Sequence, residues 1–166
     1  DQEAGGFWFT ARDHEALIHR PKPLSDESLP AGNGVAAFAL QRLGHLLGET
    51  RYLEAARRTL ALAGAAMARL PYAHASLLFA LEEHLEPPEM LIIRADPEVL
   101  EDWQAAAQRG YRPGRLVLAI PSGESDLPAA LGGMGAGLGP RAYRCRGMRC
   151  EPRALGAGGL SVRWSQ

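Results

Sequence analysis

The chain has very little cysteine, no excess charge of either sign and no long apolar run, and each shortage removes a class of function. Cys145 and Cys150 are the two cysteines in 166 residues, too few for a disulfide-knit scaffold and in keeping with a reducing compartment. Lys plus Arg number 18 against 19 Asp plus Glu, a formal charge of -1, so no basic field would draw a nucleic-acid backbone or an anionic membrane. No apolar stretch approaches the roughly 20 residues that cross a bilayer, and Asp1-Gln2-Glu3 lacks the basic and apolar regions of a signal peptide. His45, His74 and His84 have no mutual metal-ligand spacing. These absences predict a cytoplasmic protein with no membrane or nucleic-acid partner, no metal and no cofactor.

What is present is enough apolar material to bury a core, 46% of residues, in one ordinary domain or two small ones. The 19 glycines and 12 prolines concentrate in residues 20–34 and 110–159, which marks the irregular parts. The abrupt beginning reads as a piece cut from a longer chain.

Three helices are expected after the first thirty residues. The first, about 34–47, has Asn33 as N-cap, Val35, Phe38, Ala39, Leu43, Leu46 and Leu47 on its apolar face, and Gly48 at its end. The second, about 51–70, carries Leu53, Ala56, Leu60, Ala63, Met67 and Leu70 at steps of three and four, with alanines that permit close helix packing. A third, about 72–86, shows Leu77, Leu78, Leu81 and Leu85 before Pro87-Pro88 stops it. The grammar then changes: the run Met90-Leu91-Ile92-Ile93, a helix over 97–109 with Val99, Leu100, Trp103 and Ala107 on one face, and the run Leu116-Val117-Leu118-Ala119-Ile120 predict a βαβ unit with parallel strands. A third strand is expected at Arg141 to Cys145 and a fourth near Cys150, because two strands seldom stand alone. The fold class is therefore mainly α with a small α/β part, divided as 1–88, 89–153 and a flexible tail 154–166.

By composition the stretch that carries chemistry is residues 7–33, which has no amphipathic period and is entered through a short aromatic arm, Gly5-Gly6-Phe7-Trp8-Phe9-Thr10, expected as a strand or hairpin arm. Pro21, Pro23 and Pro30 stiffen it. Phe7, Trp8 and Phe9 could lie against the apolar face of a sugar while carboxylates and amides bridge its hydroxyls, and a charged substrate would use Arg20 and Lys22 instead. The catalytic candidates are Asp26 and His14, the latter a general base beside Asp13 and Glu15. Trp8, Asp13, Arg20, Lys22 and Asn33 are the binding candidates. The plainer reading of Arg20, Lys22, Asp26 and Glu27 is a solvated loop with local ion pairs.

In the second half, Cys145 and Cys150 flank Arg146-Gly147-Met148-Arg149, and Gly147 can take the positive φ of a tight hairpin turn. The thiols are expected opposite each other and within bonding reach, as a redox pair that is a dithiol most of the time; two independent thiols are the alternative. The glycine run from Gly132 to Gly139 matches neither dinucleotide nor phosphate-loop spacing and reads as a connector. Ser122-Gly123-Glu124-Ser125 follows the second strand, where α/β folds tend to place ligands, and its serines equally suit helix capping.

The ordered string Gly6-Phe7-Trp8-Phe9-Thr10, Asp13-His14-Glu15, Arg20-Pro21-Lys22, Asp26, Pro30 and Gly32-Asn33, resuming at Ala142-Tyr143, Cys145, Cys150 and Pro152, resembles a family of thioredoxin-domain proteins whose animal members are called spermatogenesis-associated proteins. Ala31 departs from it, since serine usually precedes the glycine. The resemblance implies a C-terminal portion of a protein with a thioredoxin-like domain followed by an α/α toroid similar to sugar epimerases and six-hairpin glycosidases. It further implies that the polar loop faces a central cavity with Asp13, His14, Arg20, Lys22, Asp26 and Asn33 near it. Family redox chemistry does not transfer to Cys145 and Cys150, because the thioredoxin cysteines are missing. A sugar-like ligand, with isomerase-, epimerase- or glycosidase-like chemistry in the full-length protein, is the expectation; a helical interaction module without catalysis is the alternative. Three helices cannot close a ring, so an uncovered apolar face is expected, to be met by the missing N-terminal domains or by a homodimer.

Overall fold

The computed structural model describes residues 1–15, 17–135, 137 and 139–154, with side chains through Glu151. The tail expected beyond Ala154 lies outside the described residues. The chain divides into two units, Asp1–Glu86 and Pro87–Gln166.

In the first unit the loop leads into α1 (Gly32–Leu47), α2 (Thr50–Arg69) and α3 (Ala75–Leu85). Gly48 ends α1 in the left-handed region, φ 70°, where glycine meets no Cβ penalty. α2 buries Ala56, Leu60, Ala63 and Met67, four of the six positions its periodicity selects. These pack with Ala37, Leu77 and Ala80 into a core flanked by Leu24, Phe38, Leu40, Leu78 and Leu81. A fully buried leucine such as Leu77 contributes about 1.5–3 kcal/mol of transfer free energy.

α1 corrects the expectation. Its buried stripe is Asn33, Gly34, Ala37, Gln41 and Gly44, while Val35 and Leu43 face out. The reason is proximity: a Cβ on Gly34 would stand 2.1 Å from Ser76 Oγ, and one on Gly44 2.6 Å from Leu53 Cδ2. Small residues allow that approach, and polar ones are satisfied within it. Gln41 donates from Nε2 to the Ala80 carbonyl at 2.8 Å, and Arg42 grips the Glu83 carboxylate through Nε and Nη2. Asn33 is likewise not the N-cap; Ala31 holds that position, and Asn33 lies inside the helix. The third helix starts later than expected, because Pro71–Ala73 form a 3₁₀ turn that precedes it. At its end His74 is buried, its Nδ1 donating to the Leu70 carbonyl at 2.8 Å.

The second unit is a mixed sheet in the order β2-β1-β3-β4. β1 (Glu89–Ala95) and β2 (Arg115–Pro121) are parallel neighbours joined through α4 (Pro97–Ala107), the expected βαβ unit. β3 (Arg141–Arg146) runs antiparallel to β1, and β4 (Arg149–Ala154) returns beside β3. β1 is buried along its whole length, as befits a central strand. Leu91, Ile93, Ala95 and Ala142 pack on Ala107, Leu100 and Trp103 of α4. Val99 of α4 stays partly exposed and outside that packed cluster. At the other end of the strand the buried Glu89 pairs with Arg115 and Arg144, each at 3.1 Å. A short helix, α5 (Ala129–Gly132), follows β2, and no serine caps it.

Gly147, φ 58°, and Met148 form the two-residue turn between β3 and β4, with glycine at the first central position as a type II′ turn requires. Cys145 and Cys150 are register partners with Cα atoms 4.0 Å apart, joined by a disulfide. The pairing is the one the turn predicts, because directly opposite positions bring the two sulfurs together.

Candidate functional site

The loop before α1 is held by groups that the sequence offered as ligand contacts. Asn33 is the centre of this framework: its Oδ1 accepts the Phe7 N–H at 2.6 Å, while its Nδ2 donates to the carbonyls of Phe7 at 3.0 Å and Pro23 at 2.8 Å. Each of these three bonds is directed at backbone, which fits a residue only 2% exposed. Gly5 and Gly6 take φ 81° and 69° and press the arm onto α2; a Cβ on Gly5 would meet the Arg58 carbonyl oxygen at 2.6 Å. The arm forms no strand. Phe9 N–H donates to the Pro21 carbonyl at 3.0 Å, but Pro21 and Pro23 have no N–H to return, so a ladder cannot develop.

Arg20 and Lys22 are also part of the frame. Arg20 donates from Nε to Thr10 Oγ1 at 2.9 Å and from Nη2 to the Thr10 carbonyl. Lys22 Nζ donates to Asp1 Oδ2 at 2.9 Å and the Gly5 carbonyl at 2.7 Å. Both cations stand over Trp8, the guanidinium 5.4 Å and the ammonium 4.4 Å from its ring centroid, within the range of cation–π attraction.

Asp26 ties two helix starts together. Its carboxylate accepts the Ala31 N–H at 2.8 Å, the Ser76 N–H at 2.8 Å and the Ser76 hydroxyl, and its own N–H donates to the Ala73 carbonyl at 2.7 Å. Neither α1 nor α3 has a cap from its own N-cap side chain, so this one carboxylate serves both. Desolvation pushes the Asp26 carboxyl up, but the bonds from Ala31 and Ser76, with a smaller contribution from His74, outweigh it and hold the group below the ordinary aspartate value. Asp13 and His14 lie exposed on the outer loop; His14 Nδ1 is 3.3 Å from the Glu15 carbonyl.

What this frame leaves open is a groove of about 620 Å³. Phe7, Trp8 and Phe9 line it from the arm, Pro21 and Pro23 from the loop, and Ser25, Glu27, Ser28 and Leu29 from the segment leading to Pro30, Ala31, Gly32 and Asn33. Of the candidates named from the sequence, Trp8 and Asn33 reach this lining; Asp13, His14, Arg20, Lys22 and Asp26 do not. Ser25, Ser28 and Leu29 had no individual role in the sequence reading of residues 7–33, and Glu27 entered it only as part of a solvated loop. Their position between Pro23 and Pro30 was the available signal.

Smaller recesses among the described residues include an apolar groove of about 430 Å³ between α2 and α3, lined by Leu60, Met67, Leu78 and Leu81 among others, and one of about 130 Å³ beside Arg112 and Arg115. Among the described residues no cluster of His, Cys, Asp or Glu is placed to hold a metal, and no helix is long and apolar enough to cross a membrane. No protein-family model, curated protein or solved structure matches the chain.

Proposed function

We propose that this chain is the C-terminal portion of a carbohydrate-binding protein of the thioredoxin-domain type, and that the groove beneath the aromatic arm takes the sugar. The observation that carries the reading is the composition of the groove: three consecutive aromatic residues, with Glu27, Ser25 and Ser28 among the other residues lining it. Aromatic rings lie against the C–H face of a pyranose, and hydroxyl and carboxylate groups exchange hydrogen bonds with its hydroxyls. The ordered motif string supports the same reading, since the residues that carry the resemblance, Trp8, Arg20, Lys22, Asp26 and Asn33, build the frame of the groove. Of these, Trp8 and Asn33 also reach its lining, while Arg20, Lys22 and Asp26 position it from outside.

On this reading the three helices are one arc of an α/α toroid. The outward Val35, Leu43, Phe79 and Leu85 are covered by the preceding domains or by a second copy of the chain. Glycoside hydrolysis ordinarily employs two carboxylates. Glu27 is the carboxylate in the described lining, so the groove as it stands supports binding, and isomerase-, epimerase- or glycosidase-like chemistry in the full-length protein would draw its second group from elsewhere. The cytoplasm, as the working compartment, would keep Cys145 and Cys150 reduced in the cell. The test is saturation-transfer NMR of the full-length protein against monosaccharides, oligosaccharides and sugar phosphates. Phe9→Ala and Glu27→Gln are each expected to weaken binding at least tenfold, and binding untouched by both would remove the groove from consideration.

A helical docking module is the second reading, favoured by the apolar groove between α2 and α3. It predicts that Leu78→Glu abolishes association with a protein partner while leaving sugar binding intact.

A further inference from the structure

Arg94 is a buried cation with no counter-charge among the described residues. It sits near the end of β1, 4% exposed, on the sheet face opposite α4, the face it shares with Met90 and Ile92. Its Nη2 donates to the carbonyls of Ser122 at 3.1 Å and Glu124 at 2.7 Å. Its Nε and Nη1 are buried with no hydrogen-bond partner among the described residues. No carboxylate pairs with it among the described residues, whereas the equally buried Arg115 has Glu89. Three N–H donors of a desolvated guanidinium are thus left unused, a condition that native proteins ordinarily avoid.

The neighbouring strand makes the omission sharper. In the antiparallel register Arg94 faces Arg141, so two cationic side chains leave the sheet from facing positions on the same face. Like charges in that position repel unless something negative is shared between them. Arg141 has no ion pair among the described residues, and its guanidinium lies so close over Gly137 that a Cβ there would stand 2.0 Å from Nε. The segment after β2 crosses this face, bonded at one end through Arg94 and at the other through the Tyr143 hydroxyl, which donates to the Gly135 carbonyl at 2.8 Å. Arg94 also lies toward the C-terminal edge of the parallel pair β1 and β2, the edge at which open α/β sheets take ligands.

We propose that Arg94 and Arg141 form an oxyanion-binding site between the sheet and the segment 122–135, taking the phosphate or carboxylate group of a small ligand. Two planar guanidinium forks converging on one oxyanion supply charge-assisted, bidentate hydrogen bonds of the kind Arg94 leaves unmade. The anion enters as the segment lifts from Arg94, and Gly137 keeps Arg141 flat against the chain.

The experiment is isothermal titration of the whole chain with inorganic phosphate and, separately, with acetate, using chloride at matched ionic strength as control. Saturable binding of phosphate or acetate but not of chloride is expected, and the tighter of the two identifies the ligand group. Arg141→Gln, a change at an exposed side chain that leaves the fold intact, is expected to weaken binding at least tenfold, and Gly137→Ala to weaken it by displacing Arg141. Arg94→Lys, which keeps the charge but loses the fork, is expected to do the same. Binding no better than chloride, or binding unchanged in Arg141→Gln, overturns the proposal whether or not the Arg94 variant folds.

Discussion

Replacing Asp26 with alanine tests whether its carboxylate is a reactive group or a shared cap. The structure assigns it three donors: the Ala31 N–H just before α1, and the N–H and hydroxyl of Ser76 in the first turn of α3. Asp26→Ala leaves two backbone N–H groups and one hydroxyl without their acceptor. A lost cap costs about 1 kcal/mol and a bond to a charged group about 1.5–3 kcal/mol, with water recovering part of this at a half-buried site, so a total of about 2–4 kcal/mol is expected. Urea unfolding of the helical circular-dichroism signal at pH 7 measures it. The pH dependence carries a further signature. Because the folded-state pKa is lowered by the Ala31 and Ser76 bonds against the opposing effect of desolvation, the stabilisation is fully present above the unfolded aspartate value of about 3.9 and is lost as pH falls through the folded value. The gap between wild type and Asp26→Ala should hold steady from about pH 7 to pH 5 and close below about pH 4. A loss under about 0.5 kcal/mol, or a gap that widens on acidification, refutes the capping role.

Three further outcomes follow from the same geometry. Asn33→Asp puts a carboxylate oxygen where Nδ2 now donates to the Phe7 and Pro23 carbonyls, and is expected to destabilise the first unit by about 2–4 kcal/mol, read as a lower urea midpoint and faster hydrogen exchange at Phe7. Gly34→Ala drives a methyl against Ser76 and is expected to cost about 1–3 kcal/mol in the same unfolding assay, while Gly64→Ala, whose Cβ meets nothing within 4 Å, should be neutral or stabilising. Cys150→Ser opens a bridge with a sequence separation of 5 and is expected to lower stability by about 2 kcal/mol under oxidising conditions and to change little in excess reductant, checked by thermal melts with thiol trapping.

The groove was only partly legible in the sequence. Residues 7–33 stood out because they lack a helical or strand period, and the groove is lined from within that stretch; which of them would face a ligand was not encoded locally. Asn33 bonds to Phe7 across 26 positions and Asp26 to Ser76 across 50, so both turned out to be braces of the loop. Glu27, with no comparable partner, was left in the lining. A polar residue reads the same in sequence whether its bonds go to backbone or to solvent.

What the sequence determined by itself is what short-range physics encodes. The step-of-three-and-four pattern of α2, the stop at Pro87-Pro88, the two apolar runs flanking a helix, and a glycine at the turn between Cys145 and Cys150 each act within a few residues, and each is found in the structure. Tertiary structure decided the rest. α1 buries Gly34, Ala37, Gln41 and Gly44 instead of its larger apolar residues, because Ser76 and Leu53 approach more closely than a Cβ would allow. The facing of Arg94 and Arg141, likewise, depends on the register between strands 47 positions apart, and no local pattern fixes which charges such a register brings together.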